Sequence, residues 1–223
     1  MQLVFLKLLI RKEGVIYHGG LLRFFHGFRV KETLQAKYHF PVAALNDGKA
    51  AALAELATGH LKGVTNGAAL VLGSGLGGGI IINGKLFQGS HFQAGELTFL
   101  LPLQMEKLDP SLMQGTTLSA VGLITKVNEI LASLDLKDGL LAFKAINAKK
   151  EAVYPIFETY CRNLAITILN LQTIFDMETF VLGGGISAQS ILIEEVNRQF
   201  DKVHHEIDFI GKIIKRPKIV ACH

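Results

Sequence analysis

Residues 70–89 read LVLGSGLGGGIIINGKLFQG. A short apolar run gives way to five glycines and a serine within seven residues, then resumes at Ile80–Ile82. Taken alone, the G-x-G-x-x-G spacing of Gly73, Gly75 and Gly78 is weak, because dinucleotide sites, phosphate cradles and plain turns share it. The residues after the glycines discriminate between them. Asn83-Gly84 separates two apolar runs, the strongest short-range signal for a β-hairpin. The glycine loop therefore joins strand to strand. A Rossmann fingerprint needs a helix to open at the loop. A P-loop needs Lys-Ser or Lys-Thr after its last glycine, where this chain has Ile80. Both fail on context. A strand, turn and returning strand can still present backbone N–H groups to a phosphate, with no side chain in the way.

Working outward, AALVL (68–72) reads as the strand entering the turn. FPVAAL (40–45) reads as an earlier strand, its proline tolerable near the start. DGKAAALAELATGHLKG (47–63) reads as an alanine-rich helix closed by Gly59 or Gly63. LLRFFHGFRVKETLQAKY (21–38) begins as a loop and ends as a helix, with Val30, Leu34 and Tyr38 four apart. Downstream, SLMQGTTLSAVGLITKVNEILASL and YPIFETYCRNLAITILNLQTIF read as helices, around Gly115 and from about Tyr154. ETFVLGGGISAQSILIEEVNRQF gives a strand, a second glycine turn at Gly183–Gly185, and a helix with Ser187 near its start. Helices alternating with strands indicate an α/β domain. MQLVFLKLLIRK (1–12) reads as a buried strand, too short to span a bilayer and without the flanks of a signal peptide.

The 223 residues are 49% hydrophobic and 19% charged, enough to build a core and too apolar for disorder. The net charge of +4 is spread along the chain. KIIKRPK (212–218) is the one dense basic patch, so no nucleic-acid partner is expected. Cys161 and Cys222 have neither disulfide-framework nor zinc spacing, which suits a reducing cytosol. His26, His60 and His91 read as structural, and His204 with His205 as a solvated helical face.

Three strings in order, PVAALNDGKAAALAE (41–55), ALVLGSGLGGGIIINGKLFQGSHFQAGE (69–96) and FVLGGGIS (180–187), resemble the ROK family of repressors, open reading frames and kinases. EGVIYHGGLLRFFHGFRVKETLQAKYHFPV (13–42) is similar to the family's lead-in to its active-site aspartate. The resemblance implies an actin-like, ribonuclease-H-like α/β fold with two lobes and a cleft. Residues 1–65 would be what remains of the N-terminal lobe, and 66–223 the nucleotide-binding lobe. It also implies that Asp47 is the catalytic base, and that Asn46 and Glu96 bind the sugar. Gly73, Ser74, Gly75, Gly77 and Gly78 would face the phosphates, and Gly183, Gly184 and Gly185 would border the adenosine. The implied reaction is transfer of the γ-phosphate of ATP, with Mg²⁺, to a hydroxyl of a hexose or hexose derivative. Glucokinase, N-acetylmannosamine kinase and β-glucoside kinase types all fit. Such chemistry needs positioning, charge neutralisation and a group to take the hydroxyl proton. A cytoplasmic homodimer, with no membrane partner, completes the expectation.

The chain also departs from the family pattern. No Asp-x-Gly-Gly-Thr segment precedes Glu13, and the chain stops at Cys222-His223, ahead of the family's terminal helix. The missing part of the first lobe would leave a sheet edge uncovered, which is the reason to expect a dimer. Phe99 stands where a zinc-binding histidine is common, and no cysteine-rich segment comes after it, so no metal site is expected. A third sugar-contacting glutamate has no counterpart near SLMQGTT. Lys49 replaces the second asparagine of the Asn-Asp-Ala-Asn motif, where it would depress the pKa of the base. Two rival readings stand beside the kinase: a sugar-binding protein without catalysis, and an inactive truncated remnant.

Overall fold

In this computed structural model the described residues are 4–6, 9–10, 13–17, 23–101, 109–206 and 208–223, with backbone alone at 4–6, 9–10 and 23. The chain enters through short strands. β1 (Val4–Leu6) pairs in parallel with β4 (Ala44–Asn46), and β2 (Leu9–Ile10) pairs antiparallel with β3 (Ile16–Tyr17). Of the stretch expected to form one N-terminal strand, residues 1–3, 7–8 and 11–12 lie outside the described residues; the remainder forms two strands. Between β3 and β4 lies α1 (Val30–Tyr38), which packs Val30 and Leu34 beside Ile16 but leaves Tyr38, the third residue of the expected spacing, exposed.

α2 (Asp47–Thr58) leaves β4 directly. It ends at Gly59, whose N–H donates to Glu55 O at 2.9 Å. β5 (Gly67–Leu72), the glycine turn, β6 (Leu76–Ile82) and β7 (Lys85–Phe87) continue as a meander. Asn83 and Gly84 take φ of 52° and 69°, the left-handed pair that matches strand twist in a two-residue hairpin. The helices come next: α3 (Gln114–Thr117), α4 (Ala120–Ile130), α5 (Gly139–Asn147) and α6 (Tyr154–Phe175). β8 (Thr179–Gly184), α7 (Ser190–Glu206), α8 (Asp208–Ile213) and β9 (Lys218–Ala221) complete the chain. The main sheet has the order β7-β6-β5-β8-β9. β8 runs parallel to β5, and β9 to β8; only β6 opposes its neighbours.

Alternation along the strands decides what each face buries. Leu70, Leu72, Phe180 and Leu182 point into the larger core, against Phe157, Leu164, Ile168 and Phe200 of α6 and α7. Ala69, Ile81 and Val181 point the other way, onto Ala52 and Leu61. β5 is thus covered on both faces, as its unbroken apolar run requires.

α2 lies very close to β6, because glycines face each other across the contact. A Cβ on Gly48 would come 2.5 Å from Gly78 N, and one on Gly79 would come 2.5 Å from both Ala52 Cβ and Gly48 O. Several local readings differ from the structure. The strand expected over 40–45 occupies Ala44–Asn46, and the helix after the late glycine turn starts at Ser190, because Ser187 Oγ donates to Gly184 O at 2.8 Å and forms a turn first. α5 and β9 were not expected. His204 is a correction: it is buried rather than solvated. Its ring stacks on Phe200 at 5.5 Å, with Nε2 2.6 Å from Ile214 O, because the chain beyond α7 folds back over it. His205 is exposed, in keeping with a solvated face.

α6 and α7 are pinned by the carboxylate of Glu195, whose side chain is only 4% exposed. It accepts from Tyr154 Oη at 3.0 Å, Gln199 Nε2 at 2.7 Å and Arg198 Nε at 2.8 Å. Burial is the largest single influence and opposes ionisation, yet the hydrogen bonds from Arg198, Gln199 and Tyr154 outweigh it and hold the carboxyl below the usual range. Burial, with the Glu195 hydrogen bond, pushes the Tyr154 hydroxyl up to about 12.

This packing has consequences for stability. A depressed folded-state carboxyl contributes stability above its ordinary value of 4.5 and loses it as pH falls through the lowered value. Thermal melts from pH 7 to pH 3 should show that acid loss. Glu195→Gln should cost about 1–3 kcal/mol at pH 7 and flatten the acid limb. Chemical denaturation should show Gly79→Ala destabilised by about 1–3 kcal/mol through overpacking. Gly185→Ala, whose Cβ meets nothing within 4 Å, should stay within about 0.5 kcal/mol of the parent.

Candidate active site

Asn46 ends β4 and caps α2, its Oδ1 accepting from Gly48 N at 2.9 Å. The cap role therefore falls to Asn46, and Asp47 is the first residue of the helix. Asp47 Oδ1 also lies 2.9 Å from Gly48 N, and the side chain is half-buried. Its carboxylate faces β6: a Cβ on Gly77 would sit 3.7 Å from Asp47 Oδ1. Asp47 and the glycine stretch, 30 residues apart in sequence, thus lie side by side.

Gly77 pairs with Val71, and Val71 with Gly183, so the two glycine segments lie two strand spacings apart, about 10 Å. The carboxyl ends of β5 and β8 lead into the two turns, at Gly73–Gly75 and Gly184–Gly185. That edge of a parallel sheet is where α/β proteins bind ligands. Ser74, Gly184 and Gly185 are exposed there. Gly184 has φ of 104°, and a Cβ on it would come 2.1 Å from Leu72 O, so only glycine fits.

The glycines do not all do the same thing. Gly73 N donates to Gly75 O at 3.0 Å within the turn, and Gly73 O accepts from Ala120 N at 2.8 Å, fixing the turn to the start of α4. Gly78 is buried, and a Cβ there would strike Gly95 O and Leu97. Gly77 is the half-buried glycine that opens toward Asp47. Beside the start of α4 is a cavity of about 450 Å³ lined by Thr116, Thr117, Ser119 and Lys126. Another, of about 580 Å³, opens where Asn147 and Lys149 face Ser190 and Ile191 at the start of α7. Sequence patterning signalled neither cavity.

Glu96 lies at the start of a 3₁₀ turn over Leu97–Phe99, and Phe99 is exposed. Its carboxylate is gripped by Lys49, with Nζ 3.0 Å from Glu96 Oε1. Lys49 is therefore engaged with the expected sugar ligand, a pairing that sequence patterning did not signal. No local pattern could have shown it, because the partners are 47 residues apart. Among the described residues no three His, Cys, Asp or Glu side chains gather as a metal site, and no helix is long and apolar enough to cross a membrane.

Fold and site together define an α/β protein of the actin-like, ribonuclease-H-like class, with a carboxylate facing a glycine-lined sheet edge. The chain belongs to the ROK family, which it matches over residues 8–207. A beta-glucoside kinase of Listeria innocua is 30% identical over 202 residues, covering 89% of this chain and 66% of that protein. A glucokinase of Halalkalibacterium halodurans is 29% identical over 208 residues, covering 84% of this chain and 62% of that protein. The chain thus spans just under two thirds of the length of both. A ROK family protein from Streptococcus pneumoniae TIGR4, solved with sucrose, superposes with a TM-score of 0.80 at 28% identity. The match covers 97% of this chain and 72% of that one.

Proposed function

We propose that this chain acts as an ATP-dependent sugar kinase, with a hexose or hexose derivative as acceptor. The observation that carries the reading is the carboxylate of Asp47 against Gly77, at the edge where the two glycine turns emerge. Relatives named for β-glucoside and glucose phosphorylation, and a sucrose-bound neighbour, support the substrate class. On this reading residues 1–65 belong to the sugar-side lobe and residues 66–223 form the nucleotide lobe.

The residues fit an anionic nucleotide. Gly77 puts bare backbone beside Asp47, and Gly184 and Gly185 are exposed in the neighbouring turn. With no preformed acidic cluster among the described residues, Mg²⁺ would arrive with the phosphates, as that ion usually does, keeping several waters. Asp47 accepts the proton of the sugar hydroxyl as its oxygen bonds to the γ-phosphorus and ADP departs. Such general-base help is typically worth about 10²- to 10⁴-fold. Asn46, whose Oδ1 is occupied by the cap, offers its amide nitrogen to a sugar hydroxyl, and Glu96 accepts from another.

A coupled ADP-release assay over glucose, mannose, N-acetylated hexosamines and β-glucosides tests the proposal. The expected result is turnover of at least one sugar, reduced by about 10²-fold or more in Asp47→Asn. Turnover no higher than in Asp47→Asn, for every sugar, would refute it.

A further inference from the structure

Lys49 carries a charge into the interior. Its side chain is 3% exposed, and Nζ donates to Phe92 O at 2.5 Å and to Glu96 Oε1 at 3.0 Å. Burying an ammonium is costly unless it is paired and hydrogen-bonded, and these two contacts supply both. The segment it grips is held by turn hydrogen bonds of its own, Ala94 N to Gln88 O at 3.1 Å and Glu96 N to Gln93 O at 3.3 Å, and by no sheet or helix ladder. Residues 88–96 contain no helix or strand. Gly89, Phe92 and Gly95 take φ of 71°, 61° and 84°, and at Phe92 that conformation is strained. Lys49 sits two residues beyond Asp47, in the first turn of the helix that packs on Gly78 and Gly79.

We propose that Lys49 is the positioning residue for Glu96. It fixes the 88–96 loop to α2, so the carboxylate that meets the sugar and the carboxylate that takes its proton are held by one helix. With Oε1 occupied by Lys49, Oε2 supplies the acceptor for the sugar hydroxyl. The part of this inference that concerns sugar rests on the kinase reading; the part that concerns the loop does not.

The test uses the full chain with Lys49→Met, Glu96→Gln and the double variant. Lys49→Met should raise the sugar KM roughly 10- to 100-fold, the size expected for one charge-assisted contact, with the ATP KM within about twofold. Because Lys49 acts through Glu96, it should add little to the sugar KM in the Glu96→Gln background. Amide hydrogen exchange over residues 88–96 should accelerate in Lys49→Met while the β5–β8 core is unchanged. Should the methionine variant not fold, Lys49→Gln keeps a donor for Phe92 but no charge for Glu96, and should shift the sugar KM in the same direction.

An unchanged sugar KM, a parallel rise in both KM values, or full additivity with Glu96→Gln would overturn the proposal. If the parent chain phosphorylates no sugar, the kinase reading fails separately and exchange decides. Faster exchange confined to 88–96 in Lys49→Met supports the positioning role, and unchanged exchange there overturns it.

Discussion

The approach of α2 to β6 is the constraint on which the site depends. Backbone meets backbone there, since Gly48 lies over Gly78 and Gly79 lies under Gly48 O and Ala52. A helix normally packs on a sheet through intervening side chains, and here the glycines remove them. The start of α2 is consequently fixed against the strand that leaves the glycine turn, and Asp47 gains its position from this contact. Close packing and the site's key distance are one feature.

That view changes what the glycine-rich stretch is for. Gly78 and Gly79 serve close packing, on opposite faces of β6, while Gly77 keeps side-chain atoms from between the strand and the carboxylate. The Gly73–Gly75 turn is tied to α4 through Gly73 O. Gly183 and Gly184 repeat the pattern on β8, with Gly184 in a backbone conformation that a side chain would not allow. Carboxyl ends of three strands, β4, β5 and β8, thus lead into the same region, β5 and β8 through glycine-containing turns and β4 directly into α2.

Much of this was legible in the sequence, and the parts that were share a cause. Asn83-Gly84 named its hairpin because two consecutive left-handed residues suit few other settings. The helix from Tyr154 was readable from its long apolar periodicity, and the ordered motifs singled out Asn46, Asp47, Glu96 and both glycine turns as candidates. What stayed hidden depends on contacts between distant segments. His204 looked solvated until the return of the chain beyond α7 buried it. β9 was masked by the basic patch KIIKRPK, whose Arg216 pairs on the surface with Asp201 at 2.6 Å. Lys49 looked like a charged neighbour of Asp47, yet its ammonium points to a loop more than 40 residues away.

The most direct measurement is a crystal structure of the chain with a hexose and a non-hydrolysable ATP analogue. The account predicts an Asp47 carboxylate oxygen within about 2.6–3.2 Å of one sugar hydroxyl, with the terminal phosphate over Gly73–Gly77 in line with it. A nucleotide bound away from both glycine turns, or an Asp47 side chain beyond reach of every sugar hydroxyl, would contradict it.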